Sequence, residues 1–166
     1  MDMLKNLFKK RDAKTDIFAP VNGEIVQLDE VPDPVFSQKM MGDGVAVKPS
    51  EGKVFAPTDG EVIQIPETKH AIGLRANDGT EILIHIGLET VSLEGEGFTV
   101  SVSTGDRVST GQELMTFDLA YIRENASSDV TPIVITNAQE TGKQYTMTNE
   151  KEGKAGETVI ITSQDK

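Results

Sequence analysis

Residues 17–28 and 54–65 carry one pattern twice, 37 positions apart. Ile17-Phe18-Ala19-Pro20-Val21-Asn22-Gly23-Glu24-Ile25-Val26-Gln27-Leu28 is echoed by Val54-Phe55-Ala56-Pro57-Thr58-Asp59-Gly60-Glu61-Val62-Ile63-Gln64-Ile65. Phe, Ala, Pro, Gly, Glu and Gln are identical, and most other positions exchange like for like. The shared Ala-Pro-x-x-Gly-Glu segment reads as a turn delivering the chain into a strand. Proline fixes φ, glycine tolerates tight turns, and Val and Ile favour extended backbone. Two copies imply hairpin units related by pseudo-symmetry.

The rest of the chain keeps the same rhythm. Short β-branched runs fall at Gly44–Lys48, Ile72–Arg75, Glu81–Ile86, Arg107–Val108, Glu113–Phe117, Ile133–Ile135, Gln144–Met147 and Thr158–Thr162. They are punctuated by most of the 15 glycines and 7 prolines. Strands this short, separated by turn signals, predict an all-β fold, an antiparallel β-sandwich or barrel with an internal hairpin repeat and short helical turns. One short helix is expected at Leu119–Ala126. No linker divides the chain, so a single domain is expected over 17–166, preceded by a flexible basic segment at 1–16.

Composition narrows the chemistry. With 0 Cys, the chain builds no disulfide scaffold, iron–sulfur centre, thiolate zinc site or cysteine nucleophile of its own. Only 2 His are present, too few for a three-histidine metal site. A net charge of -11 argues against nucleic acid, whose phosphates demand a basic footprint. No apolar run approaches the ~18 residues of a membrane span, and no export signal is seen, so a cytoplasmic location is expected.

The charge is unevenly spread. Lys5, Lys9, Lys10, Arg11 and Lys14 against Asp2 and Asp12 give residues 1–14 a net +3, leaving -14 for the remainder. Met1, Leu4, Leu7 and Phe8 form one helical stripe in the same segment. Residues 1–11 therefore suit a weak contact with an anionic membrane surface, the alternative being a frayed basic terminus.

The two histidines flank a hairpin signal. His70-Ala71-Ile72-Gly73-Leu74-Arg75-Ala76 and Thr80-Glu81-Ile82-Leu83-Ile84-His85 are separated by Asn77-Asp78-Gly79. Taking Asp78-Gly79 as a two-residue loop puts Ile72 opposite His85 and His70 opposite Gly87. His70 and His85 then share a face as diagonal neighbours, with Thr68 beside them. A three-residue loop would send them to opposite faces. Such a pair suits two chemistries. A metal would need a third ligand, such as Glu89 or Asp43. Alternatively, an unprotonated imidazole nitrogen accepts a phosphoryl group, its other nitrogen held by a carbonyl and the phosphoryl oxygens met by donors such as His70, Thr68 or N–H groups near Gly87. No Walker-type glycine loop is present, so the phosphoryl group would come from a partner.

At these residues the sequence resembles enzyme IIA of the glucose family in the bacterial phosphoenolpyruvate:sugar phosphotransferase system. The likeness rests on Pro32-Asp33-Pro34-Val35-Phe36, Gly42-Asp43-Gly44-Val45-Ala46, Thr68-Lys69-His70-Ala71, Ile84-His85-Ile86-Gly87-Leu88-Glu89-Thr90-Val91 and Gly95-Glu96-Gly97-Phe98. Phe117-Asp118-Leu119 and Thr131-Pro132-Ile133-Val134-Ile135 extend it, over residues 17 to about 162 in all. The resemblance implies a β-sandwich phosphocarrier without cofactor or metal. It accepts a phosphoryl group from phospho-HPr on His85 Nε2 and passes it to a cysteine on the IIB domain of a sugar permease. By the same resemblance, His70 supports the phosphoryl group and is needed for onward transfer, and Thr68 hydrogen-bonds His70. Asp43 and Glu89 match acids that meet an arginine of HPr; Glu89 stands where the family pattern has aspartate. Val35, Phe36, Met40, Met41 and Val91 are expected on the apolar docking face, whereas Val45 fits the core better. Family members in some bacteria also bind regulatory targets.

Two other readings compete. Ser103-Thr104-Gly105-Asp106-Arg107-Val108-Ser109-Thr110-Gly111-Gln112-Glu113-Leu114 is similar to a stretch of biotinyl and lipoyl carrier domains. Those carriers need an exposed lysine in a hairpin between the halves, and no such turn is present here. A zinc peptidase of similar architecture needs a His-x-His pair plus a distant His, which two histidines 15 residues apart do not supply.

Overall fold

The computed structural model describes residues 14–166. The expected class is found. An eight-stranded antiparallel sheet has the order β13-β2-β3-β11-β7-β6-β5-β9. Its strands are β2 (Gly23–Gln27), β3 (Asp43–Pro49), β5 (Gly60–Gln64), β6 (Ala71–Ala76), β7 (Glu81–His85), β9 (Arg107–Val108), β11 (Thr131–Ile135) and β13 (Glu152–Gly153). Two three-stranded sheets close the other side. One joins β1 (Lys14–Phe18), β14 (Val159–Asp165) and β12 (Lys143–Met147); the other joins β4 (Lys53–Phe55), β10 (Glu113–Phe117) and β8 (Phe98–Val100).

The twelve-residue repeat is the visible trace of a larger duplication. Phe18 N–H bonds the Pro57 carbonyl, and Phe55 N–H returns the bond to the Pro20 carbonyl, each at 2.8 Å. Further bonds come in matched pairs: Ile25 N–H to Lys151 O with Val62 N–H to Asp106 O, and Gly156 N–H to Ala19 O with Gly111 N–H to Ala56 O. The same irregularity of register recurs, between Ile17 and Phe18 in the β1–β14 pair and between Glu113 and Met115 in the β10–β4 pair. The strand order of the large sheet is symmetric about the β11–β7 pair, where Ile133 meets Ile84. The C-terminal partners of each half, β8 to β10 and β12 to β14, have diverged too far for the repeat to show in sequence.

Alternation along the strands makes two cores. Ile25, Val45, Val47, Ile82, Ile84, Ile133 and Ile135 point between the sheets into the main core. Ala46 and Val134 point the other way, into a smaller cluster with Leu28, Val31, Phe36, Leu88 and Val130. That cluster is roofed by a 3-10 turn at Leu28–Glu30 and a short helix α1 (Pro34–Ser37). Asp33 caps α1, its carboxylate accepting from Val35 N–H at 3.0 Å, with Pro34 at the first helical position. Helix α2 (Leu119–Asn125) lies where a helix is expected and is capped by Asp118. Helix α1, helix α3 (Ala138–Thr141) and the strands β1, β8 and β13 are additions to the sequence-based expectation.

The fold begins ahead of the boundary at 17, because Lys14, Thr15 and Asp16 already pair with Gln164, Ser163 and Thr162. The stripe proposed for residues 1–11 lies outside the described residues. The carrier-like stretch at 103–114 forms a turn, β9 and the start of β10, which is hairpin architecture shared with its counterpart at 149–159.

Candidate functional site

The β6–β7 register differs from the expected one. Ala71, not Ile72, lies opposite His85, because the connection is the three-residue Asn77-Asp78-Gly79 closed by Ala76 N–H to Thr80 O at 2.8 Å. Asp78 shapes that loop by accepting from Thr80 N–H at 2.9 Å and from the Ser163 hydroxyl at 2.7 Å. In an uninterrupted ladder this register would turn His70 into the core. The ladder stops at Ala71 instead. Lys69 adopts a left-handed conformation, φ 57, and frees His70 from strand alternation, while Ile86 N–H holds the His70 carbonyl at 2.8 Å. The histidines therefore meet, as expected, but through a bend rather than through hairpin parity. Their ring centroids are 4.9 Å apart and near perpendicular, at 76°.

Each ring is held by one specific contact. Nδ1 of His85 lies 2.8 Å from the Gly87 carbonyl. A carbonyl only accepts, so Nδ1 carries the proton and Nε2 is left with the lone pair. The sequence suggests N–H donors near Gly87; the group that faces His85 is the Gly87 carbonyl. Nδ1 of His70 lies 2.7 Å from Thr68 Oγ1. With the hydroxyl donating, His70 keeps its proton on Nε2. Phe36 packs against His85 at a centroid distance of 5.0 Å. Beside the pair lies a groove of about 490 Å³ whose lining includes Met41, Gln64, Pro66, Gly73, Leu83 and Thr136.

Burial keeps both rings neutral. It pushes the His70 pKa down to about 4, with His85 as a second, repulsive cause. Burial also lowers His85, opposed by the bond to Gly87 and by the negative field of Asp33. The folded state thus refuses protons that the unfolded chain binds near 6.5. Between pH 6.5 and about 4 the unfolded state carries more protons, so stability rises with pH across that window. The contribution is complete above 6.5 and is lost as pH falls toward 4. The His70 shift corresponds to about 3 kcal/mol at ~1.36 kcal/mol per pH unit, which half-exposure and solvent screening reduce to about 1–2 kcal/mol. Urea unfolding at about pH 7.5 and pH 4.5 should show that loss, and His70→Gln should reduce it, leaving the part that His85 contributes.

The other expected site residues divide. Val35, Met40, Met41 and Val91 are 39%, 68%, 41% and 54% exposed, and Met41 lines the histidine groove. Phe36 is not a surface contact: it is 4% exposed, because the outward face of the large sheet buries it in the smaller core, directly against His85. Asp43 lies outside the histidine groove, bonded to Gly44 N–H at 2.8 Å and 3.5 Å from Lys39 Nζ. Glu89 is exposed and left-handed, φ 59, at the start of a 3-10 turn. The acid whose charge reaches His85 is Asp33, which sequence reasoning passed over; the Asp-Pro helix-start signal would have found it. Two imidazoles alone make a poor metal cage, and among the described residues no three His, Cys, Asp or Glu side chains converge.

A family model described as the phosphoenolpyruvate-dependent sugar phosphotransferase system, EIIA 1, matches residues 15–141. The chain belongs to that family. The glucose-specific EIIA component of Oceanobacillus iheyensis is 53% identical over 138 residues, covering 81% of this chain and 84% of that protein. The corresponding Staphylococcus aureus component is 48% identical over 141 residues, 83% and 85% of the two chains. A glucose-specific EIICBA component of Staphylococcus carnosus is 52% identical over 145 residues, 87% of this chain but 21% of that longer protein. Among solved structures, the glucose permease IIA of Mycoplasma capricolum superposes with a TM-score of 0.83 at 36% identity, covering 91% and 96% of the two chains. As an EIIA component, the chain is a phosphocarrier of the sugar phosphotransferase system. Among the described residues, no helix is long and apolar enough to cross a membrane.

Proposed function

We propose that His85 accepts a phosphoryl group from phospho-HPr through Nε2 and passes it to a cysteine on the IIB domain of a sugar permease. The observation that carries this reading is the His85 Nδ1–H bond to the Gly87 carbonyl at 2.8 Å. It leaves one basic nitrogen, Nε2, on a neutral ring. The lone pair of that nitrogen forms the new N–P bond as the donor's N–P bond breaks. The Gly87 carbonyl then stabilises the positive charge that develops on the ring. His70 Nε2–H, oriented by Thr68, serves the phosphoryl oxygens as donor. Val35, Met40, Met41 and Val91 supply apolar docking area, and Glu89 and Asp43 supply acidic groups for a cationic partner surface. Asp33 belongs with these acids by its field at His85. The names of the relatives support glucose as the transported sugar and a transferase class. A cytoplasmic location, regulatory targets and membrane contact through residues 1–11 belong to the same reading.

Incubation with phosphoenolpyruvate, enzyme I and HPr should add one acid-labile phosphate per chain, mapped to His85. His85→Ala should take up none. Failure of the wild type to label, or undiminished labelling of His85→Ala, would overturn the assignment.

A further inference from the structure

The wall of the histidine groove carries a chemistry that phosphoryl transfer does not use. Met40 and Met41 sit side by side, 68% and 41% exposed. Met41 lines the groove beside His70 and His85, and both methionines line a second groove of about 440 Å³ with Asp43, Thr136 and Glu140. Met41 is therefore part of the rib between the two. Their backbone is pinned to α1: Lys39 N–H bonds Phe36 O at 2.9 Å and Met40 N–H bonds Val35 O at 3.1 Å. The same short element presses Phe36 against His85. Elsewhere in the described chain, Met115 is completely buried and Met147 is partly covered.

We propose that Met40 and Met41 form a reversible oxidation site that sets partner access to His85. This rests on the phosphocarrier reading above. A thioether sulfur attacks one oxygen of a peroxide; the O–O bond breaks, the sulfur becomes a sulfoxide, and the other oxygen leaves as water after taking a proton. The sulfur loses two electrons and the peroxide gains them. The sulfoxide oxygen is a strong acceptor placed on an apolar rim. A partner surface closing over it must strip its water, a desolvation cost that the apolar thioether does not impose. Oxidation therefore slows docking while leaving His85, Gly87, His70 and Thr68 in place.

The test uses the whole chain with hydrogen peroxide as the probe. Peptide mass mapping should show gains of about 16 Da at Met40 and Met41 ahead of Met147 and Met115. At limiting phospho-HPr, the labelling rate should fall about fivefold to tenfold, with the final one phosphate per chain retained. Methionine sulfoxide reductases of both stereospecificities should restore the rate. The Met40→Leu/Met41→Leu variant is compared with itself, and its rate after peroxide should stay within about twofold of its rate before. An unchanged rate in wild type oxidised at both positions would overturn the proposal. So would an equal loss in the double variant, which would place the damage elsewhere. Failure of the phosphocarrier reading is separable, because it would appear as absent labelling before any peroxide is added.

Discussion

His70→Gln is expected to accept phosphate on His85 and fail to pass it on, with transfer to the IIB cysteine down about 10²–10³-fold. The two steps differ in their protons. Donor phosphohistidine to His85 exchanges one N–P bond for another and releases no proton. Transfer to cysteine turns a thiol, with an ordinary pKa near 8.5, into a thiophosphate, so the S–H proton must go somewhere. His70 is the titratable group beside the reacting ring, 4.9 Å between centroids. Its pKa, held down to about 4 by burial, rises once a phosphoryl dianion lies beside it. The imidazole can then carry a proton that a glutamine amide cannot. Glutamine keeps a donor of similar reach, which is enough for the first step. Labelling kinetics and a coupled transfer assay with the IIB domain separate the two. Equal loss in both steps would mean that His70 only orients His85.

The site was more legible in the sequence than the route by which the fold builds it. Asp78-Gly79 signals a tight turn, and the pairing of the two histidines follows from an even loop. The loop is odd, because Asn77 joins it and Ala76 closes on Thr80. What restores the pairing is the left-handed Lys69, and lysine gives no local sign of that conformation. Phe36 shows the opposite failure. Its neighbours Val35, Met40 and Met41 are exposed, but α1 is four residues long, too short for periodicity to show which side chain turns inward. The duplication was half visible. The Ala-Pro-x-x-Gly-Glu copies share a glycine that close packing requires, since a Cβ on Gly23 would collide with the Lys48 carbonyl and one on Gly60 with the Arg75 carbonyl, whereas their C-terminal partners are held by backbone pairing that many side chains satisfy.

Gly87→Ala should cost about 3–5 kcal/mol, a fall in Tm of roughly 10 °C or more for a domain of this size. Gly87 has φ +72, and a Cβ there would lie 2.7 Å from Thr90 Cγ2 and 2.9 Å from the Ser128 carbonyl. Neither neighbour can yield freely. Thr90 is buried and its hydroxyl bonds Ile86 O at 2.7 Å, while Ser128 O accepts from Leu88 N–H at 2.9 Å. Relief must come from moving residue 87 itself, and with it the carbonyl that fixes the His85 tautomer. The surviving folded fraction should therefore label more slowly as well. Gly79→Ala supplies the comparison: its φ of +94 is equally unsuited to alanine, but nothing lies within 4 Å of the added carbon. That variant should lose only about 1–2 kcal/mol and label at the wild-type rate. Thermal unfolding and labelling measured on both variants distinguish backbone strain from the steric clash. Equal losses would mean that conformation, not the packing of Thr90 and Ser128 around residue 87, requires glycine there.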